Sequence, residues 1–122
     1  MRFWPSLTAE AVCLARALER HHPQSALDDP YAAQFLRRGT RLASHRVVAS
    51  ALDPHGLLAS IGLRHAWLDN RIREAIPQVQ ALLVLGAGYD SRSWRLPLDG
   101  RIAVKIDHPA TQRRKRRKVE AL

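Results

Sequence analysis

The chain is expected to be an α/β protein in which a helical region leads into a parallel sheet. Three observations carry that expectation. Residues 81–85 (ALLVL) are continuously apolar, the pattern of a strand covered on both faces in a parallel sheet rather than the alternation of a half-exposed one. That run stops on Gly86-Ala87-Gly88, and a second strand candidate, RIAVKI at 101–106, is closed by Asp107, 21 residues after Gly86. Before residue 79 the apolar residues recur with helical spacing.

In chain order, Thr8 is placed to cap a helix in which Ala11, Leu14, Ala15 and Leu18 follow an i, i+3, i+4, i+7 pattern, ending near His21-His22-Pro23. Asp28-Asp29-Pro30 then starts a helix over Tyr31 to Arg38, with Pro30 at its first position and Gly39 as its terminator. Another short helix is expected over Leu42 to Leu52, closed by Asp53-Pro54. From His55 to Ile76 the residues Leu57, Ile61, Leu68 and Ile72 share one stripe, Arg64 falls beside them, and Pro77 ends the helix. The two strands follow, and Pro109 begins a last helix. The organisation read from this is a helical cap over 1–78 and a β-α-β-α unit over 79–122, with no repeat or low-complexity linker.

With 122 residues, 46% of them hydrophobic, the chain suffices for one core. Lys and Arg number 20 against 11 acids, a formal +9, but the run Arg113 to Lys118 (RRKRRK) supplies six of the positives and leaves the rest near balance. Basicity is therefore local. A solvated surface helix is the preferred reading of the run, because consecutive basics point all around a helix and no aromatic side chain interrupts them to stack a base. A nucleic-acid-binding module is the alternative function class, and self-association through the helical part a third.

The single cysteine, Cys13, excludes an internal disulfide framework and reads as packing rather than as a nucleophile. The six histidines form no HExxH and no compact ligand set, and no GxSxG elbow is present, so neither a metal site nor a serine hydrolase is expected. Trp4, Trp67 and Trp94 are read as packing. No apolar run approaches the roughly 20 residues of a membrane span, and the N-terminus lacks a secretory pattern. A cytoplasmic protein is expected.

A strand that stops in Gly86-Ala87-Gly88 lets the backbone approach a ligand, because neither glycine carries a side chain and both tolerate positive φ. In doubly wound α/β domains an acid at the end of the next strand hydrogen-bonds a ribose hydroxyl, which is the position of Asp107. The turn continues Tyr89-Asp90-Ser91-Arg92 without the third glycine of a pyrophosphate cradle. An adenosine cofactor that carries an amino acid in place of phosphates fits better. Arg64, beside a buried stripe, would lose hydration and seek an anion: a cofactor carboxylate on the functional reading, Asp69 or Asp90 on the structural one.

Taken together, ARALER, DDPYAAQFL, GLRHAWLDNRI, LLVLGAGYDSRSWRL and VKIDHPATQRRKRR resemble, in order and spacing, the leucine carboxyl methyltransferase family of class I S-adenosyl-L-methionine-dependent methyltransferases. The resemblance implies a Rossmann-like class I methyltransferase fold, truncated after the second parallel strand and carrying an N-terminal helical cap. It also implies that Arg64 contacts the methionine carboxylate of S-adenosyl-L-methionine, that Gly86 and Gly88 line its amino-acid end, and that Asp107 holds the ribose. Asp90 and Arg92 match the turn after the glycines and are expected to brace it. No catalytic residue is assigned. The implied reaction is methyl transfer to a carboxylate or hydroxyl oxygen of a small molecule or other acceptor. Two positions depart from the family: His65 stands where a small hydroxyl residue is usual, and Lys105 where an acid is common. The family's domain continues well beyond this length, so the chain reads as its N-terminal portion, with weak cofactor binding and no turnover expected of it alone.

Overall fold

A computed structural model describes residues 6–42 and 56–120. The elements are α1 (Leu7–Glu19), α2 (Ala32–Phe35), α3 (Arg38–Leu42), α4 (Leu57–Ala75) with a 3-10 turn at Ile76–Gln78, β1 (Ala81–Leu85), α5 (Arg92–Arg95), β2 (Ile102–Ile106) and α6 (Pro109–Val119). The helix expected over Leu42 to Leu52, together with Trp4, His45 and His55, lies outside the described residues.

Ser6, not Thr8, caps α1: its hydroxyl accepts the Ala9 N–H at 3.2 Å, and the Thr8 hydroxyl instead pairs with Ser6 Oγ at 2.7 Å. The helix therefore begins two residues earlier than a Thr8 cap would place it. Its buried face is also wider than the expected stripe, since Cys13, Ala15, Arg16, Ala17 and Leu18 are all buried while Ala11 is exposed. The core joins Cys13 and Ala17 to Ala32, Phe35, Leu36 and Tyr89. Phe35 and Tyr89 stack with ring centroids 5.9 Å apart. Complete burial of a side chain such as Phe35 contributes about 1.5–3 kcal/mol.

The helix expected to run from Tyr31 to Arg38 is broken. Asp29 Oδ1 accepts the N–H groups of Tyr31 and Ala32, both at 3.1 Å, and so starts α2. Leu36 then turns extended (φ −64°, ψ 153°) and buries its side chain. A new helix, α3, contains Gly39 instead of ending there. The cause is remote in sequence: Glu10 of α1 accepts the Arg37 N–H at 3.0 Å and the Thr40 hydroxyl at 2.9 Å, capping α3 from another helix.

Helix α4 packs on α1, but with a different face from the one its apolar residues mark. Gly62, Ala66 and Asp69 are buried, Ile61, Leu68 and Ile72 are half-buried, and Leu57 is exposed. Close approach decides this. A Cβ at Gly62 would lie 2.7 Å from Glu19 Cγ, so the small residues mark where α1 can come near. Arg64 is left exposed, against the expectation that it loses hydration, and so is Trp67, 62% accessible and not a packing residue.

The two strands pair in parallel, from Ala81 opposite Ile102 to Leu85 opposite Ile106. Alternate residues within each strand share a face, and the register puts the odd residues of β1 beside the even ones of β2. Leu82, Val84, Ala103 and Lys105 are half-buried, while Leu83, Leu85, Ile102, Val104 and Ile106 are between 44% and 69% accessible. Among the described residues, therefore, one face of this sheet is bare and the expected cover on both faces is not found. Pro109 opens α6 as expected, and His108 Nδ1 accepts the Ala110 N–H at 3.2 Å as its cap. No described helix is long and apolar enough to cross a membrane.

Candidate functional site

The turn after β1 is held by backbone geometry that glycine permits. Gly86 and Gly88 have φ of +60° and +46°, and a Cβ on Gly88 would stand 3.1 Å from the Ala9 Cβ of α1. The Ala87 N–H reaches the Ile106 carbonyl at 3.1 Å, continuing the ladder one residue past β1. Asp107, at the end of β2, accepts the Gly88 N–H at 2.5 Å through Oδ2 and the His108 N–H at 2.5 Å through Oδ1.

A cavity of about 550 Å³ opens at this point. One wall is α1, through Thr8, Ala9, Val12 and Arg16; another is α4, through His65 and Leu68; the floor is the end of β1, the turn to Asp90, and Asp107. Gly86, Gly88 and Asp107 are thus brought together, as the sequence suggests. Arg64 does not line the cavity. It is solvent-exposed and precedes by one residue His65, which does line it, and by one helical turn Leu68. His65 Nδ1 lies 2.8 Å from the Ile61 carbonyl, and burial holds its imidazole below the usual range.

Beneath the cavity lies an ion-pair network that the sequence does not reveal as one object. Arg92 Nε donates to Asp69 Oδ1 at 2.7 Å and Nη1 to Asp90 Oδ2 at 2.5 Å, and Asp90 Oδ1 accepts the Arg92 N–H at 3.0 Å. Arg95 Nη1 bonds the second oxygen of Asp69, and its Nε donates to Ser91 Oγ at 3.1 Å. Arg16 Nη2 donates to the Tyr89 carbonyl at 2.7 Å, while Nη1 lies 3.0 Å from Asp29 Oδ2. Ser91 Oγ donates to the same Asp29 oxygen at 2.6 Å. Three arginines (16, 92 and 95) face three aspartates (29, 69 and 90), all at most 8% accessible in their side chains. Burial alone would raise the Asp90 pKa, yet the Arg92 charge and its N–H hold it below the ordinary value.

Asp90 and Arg92 therefore brace the turn as expected, and Asp69 and Asp90 pair with Arg92 and Arg95 rather than with Arg64. Arg16, Asp29 and Arg95 were missed. The only sequence signal for Arg16 is that its neighbours Ala15, Ala17 and Leu18 belong to the buried side of α1. Two residues on the cavity wall keep spare donors: Arg16 Nε and Arg92 Nη2 are buried without a hydrogen-bond partner among the described residues. Cys13, by contrast, is spent on structure. Its thiol donates to the Ala32 carbonyl at 3.0 Å, and burial pushes its pKa up to about 11.

This is a mixed helix and strand protein whose cavity gathers at the ends of two parallel strands, around a glycine turn and an acid. The leucine carboxyl methyltransferase family model matches residues 9–122, and the chain belongs to that family. Similar proteins include a "Putative S-adenosyl-L-methionine-dependent methyltransferase" of Mycobacterium sp. (strain KMS), 30% identical over 116 residues, covering 84% of this chain and 38% of the relative. A protein of the same name from Mycobacterium sp. (strain MCS) is 33% identical over 109 residues, covering 84% of this chain and 44% of the relative. One of Streptomyces coelicolor (strain ATCC BAA-471 / A3(2) / M145) is 31% identical over 127 aligned positions, covering 95% and 42% respectively. The chain thus spans about two fifths of the length of these relatives.

Proposed function

We propose that this chain carries the cofactor-holding part of a Rossmann-like, S-adenosyl-L-methionine-dependent O-methyltransferase. The observation that supports this most is the Gly88 N–H bonded to Asp107 Oδ2 on the wall of one cavity. It ties the turn and the acid together at one end of the cavity, which supports reading them as one nucleoside-binding site. The cavity volume, about 550 Å³, lies within the range of small-molecule sites.

The residues fit the group chemically. Each Asp107 oxygen accepts one backbone N–H and retains a lone pair for a ribose hydroxyl. Gly86 presents bare backbone, with nothing within 4 Å of where its Cβ would stand. The spare N–H groups of Arg16 and Arg92 suit the cofactor carboxylate. Arg64 is proposed to turn inward along the 64–68 side of α4 and share that carboxylate. When bound, the cofactor supplies an electrophilic methyl on a sulfonium. The chain's own part is to orient that group and exclude water, leaving the acceptor oxygen, a carboxylate or hydroxyl, to be positioned by residues outside the two fifths matched here.

The test is isothermal titration of the 122-residue chain with S-adenosyl-L-methionine. Weak saturable binding is expected, reduced about tenfold, a loss of ~1.4 kcal/mol, by Asp107→Asn and by Arg64→Ala, with no methyl turnover. Binding that is indifferent to Asp107→Asn overturns the assignment of the site.

A further inference from the structure

A second cavity, about 330 Å³, lies between α5, β2 and α6 and shares no residue with the first. Its walls include Ser93, Trp94, Lys105, Gln112, Lys115 and Arg116. Lys115 is 2% accessible, and among the described residues its Nζ meets no acceptor oxygen, only the like-charged Lys105 side chain, while Gln112 Nε2 has no hydrogen-bond partner. A buried ammonium without a partner is costly to keep. Lys105 points at the same indole: its Nζ stands 3.5 Å from the Trp94 ring centroid, that of Lys115 5.5 Å.

Among the described residues no carboxylate bonds this pair directly. Lys105 donates to the Asp90 carbonyl, at 3.1 Å, and otherwise meets the Lys115 side chain beside it. The Asp90 carboxylate is engaged by Arg92, and that of Asp107 by the N–H groups of Gly88 and His108. Glu120 lines the cavity, but so does Arg116. Apart from Glu120, the described side chains that converge here are cations and neutral donors over an aromatic wall, and no described anion is bonded to either lysine.

We infer that this cavity binds a small oxyanion, of the class of inorganic phosphate or sulfate, between Lys105 and Lys115, with the Gln112 amide and Ser93 hydroxyl as neutral donors and Trp94 as wall. The anion completes the coordination that the fold leaves open at Lys115. It also offsets the repulsion between two cations held against one ring. The site is independent of the methyl-donor cavity and stands or falls separately.

The experiment uses the full chain with Trp4→Phe and Trp67→Phe, so that Trp94 is the remaining indole, titrated with sodium phosphate at constant ionic strength. Sodium chloride and a short DNA oligonucleotide serve as the other arms. A saturable change in Trp94 emission is expected with Kd of about 1 mM or tighter, weakened about tenfold or more by Lys115→Met and by Lys105→Met. The exposed Arg113→Gln should leave it unchanged. A response of equal size to chloride, one retained in both lysine variants, or one seen with the oligonucleotide and not with phosphate overturns the proposal. Should Lys115→Met fail to fold, nitrogen-15 spectra of the lysine ammonium groups in the unsubstituted chain decide it: both resonances must move together with phosphate, and their indifference overturns it.

Discussion

Gly88 is the residue on which the turn depends most directly. Its φ of +46° is unfavourable for any side chain, and its Cβ would press on Ala9. Gly88→Ala is expected to destabilise the chain by about 1–2 kcal/mol through backbone conformation alone, read as a lower urea midpoint with an unchanged slope. Lys105 invites the opposite change. Lys105→Glu would give the buried Lys115 ammonium an acceptor and should stabilise by about 1–2 kcal/mol, while abolishing the phosphate response.

Ionisation at the same pair sets a pH dependence. Burial first, and the neighbouring Lys115 charge second, bring Lys105 from its ordinary 10.5 to about 7; burial brings Lys115 to about 8. Asp90 supports both charges and Asp107 that of Lys115, Arg16 opposes both, and Arg116 and Glu120 face the cavity. Between the folded and unfolded values the unfolded chain holds more protons, so stability rises as pH climbs from about 7. Cys13 acts in reverse, since its thiol keeps its proton from 9 to about 11 only in the folded chain. Melting temperature should therefore rise from about pH 7, and more slowly above pH 9, where the one Cys13 proton opposes the two lysines; Lys105→Met should flatten the rise.

At the scale of elements, what was legible in the sequence was local. The ALLVL run, the Gly-Ala-Gly stop, the Asp107 that closes the second strand and the Pro109 start of α6 depend on short stretches of chain, and each appears where its pattern puts it. Apart from the local exchange of Ser6 for Thr8 as the cap of α1, the misread helices share one physical cause, a distant partner. Glu10 of α1 decides where α3 begins, and the close passage of α1 over Gly62 decides which side of α4 is buried. Hydrophobic periodicity records only which side chains avoid water, and on α4 the small residues outweigh it. The expected burial of Arg64 fails for the same reason, its exposure following from the rotation of that helix. Ala66→Leu should thus cost about 1–3 kcal/mol by overpacking the α1 contact, measurable by thermal unfolding, whereas Leu57→Ser on the exposed side should be nearly neutral.

Across the whole molecule two features dominate, the bare sheet face and the buried charge network. The face carries Leu83, Leu85, Ile102, Val104 and Ile106 in one patch. Leu83→Lys with Ile102→Lys is expected to raise the solubility limit of the chain with little loss of melting temperature, as seen by light scattering against concentration. The network ties α1, α4, the turn and α5 together. Asp69→Asn, which leaves Arg92 and Arg95 short of charge, should cost about 3–5 kcal/mol.

Asp29 carries the most of these ties: one oxygen starts α2, and the other meets Arg16 and Ser91 and lies 3.7 Å from Arg95 Nε. A lone exchange at any corner strands a charge on its neighbour. Mutational drift through this junction is consequently confined to simultaneous paired replacements, so the charged scaffold under the glycine bend should tolerate far less change than the uncharged walls of the same pocket, such as Val12 and Leu68.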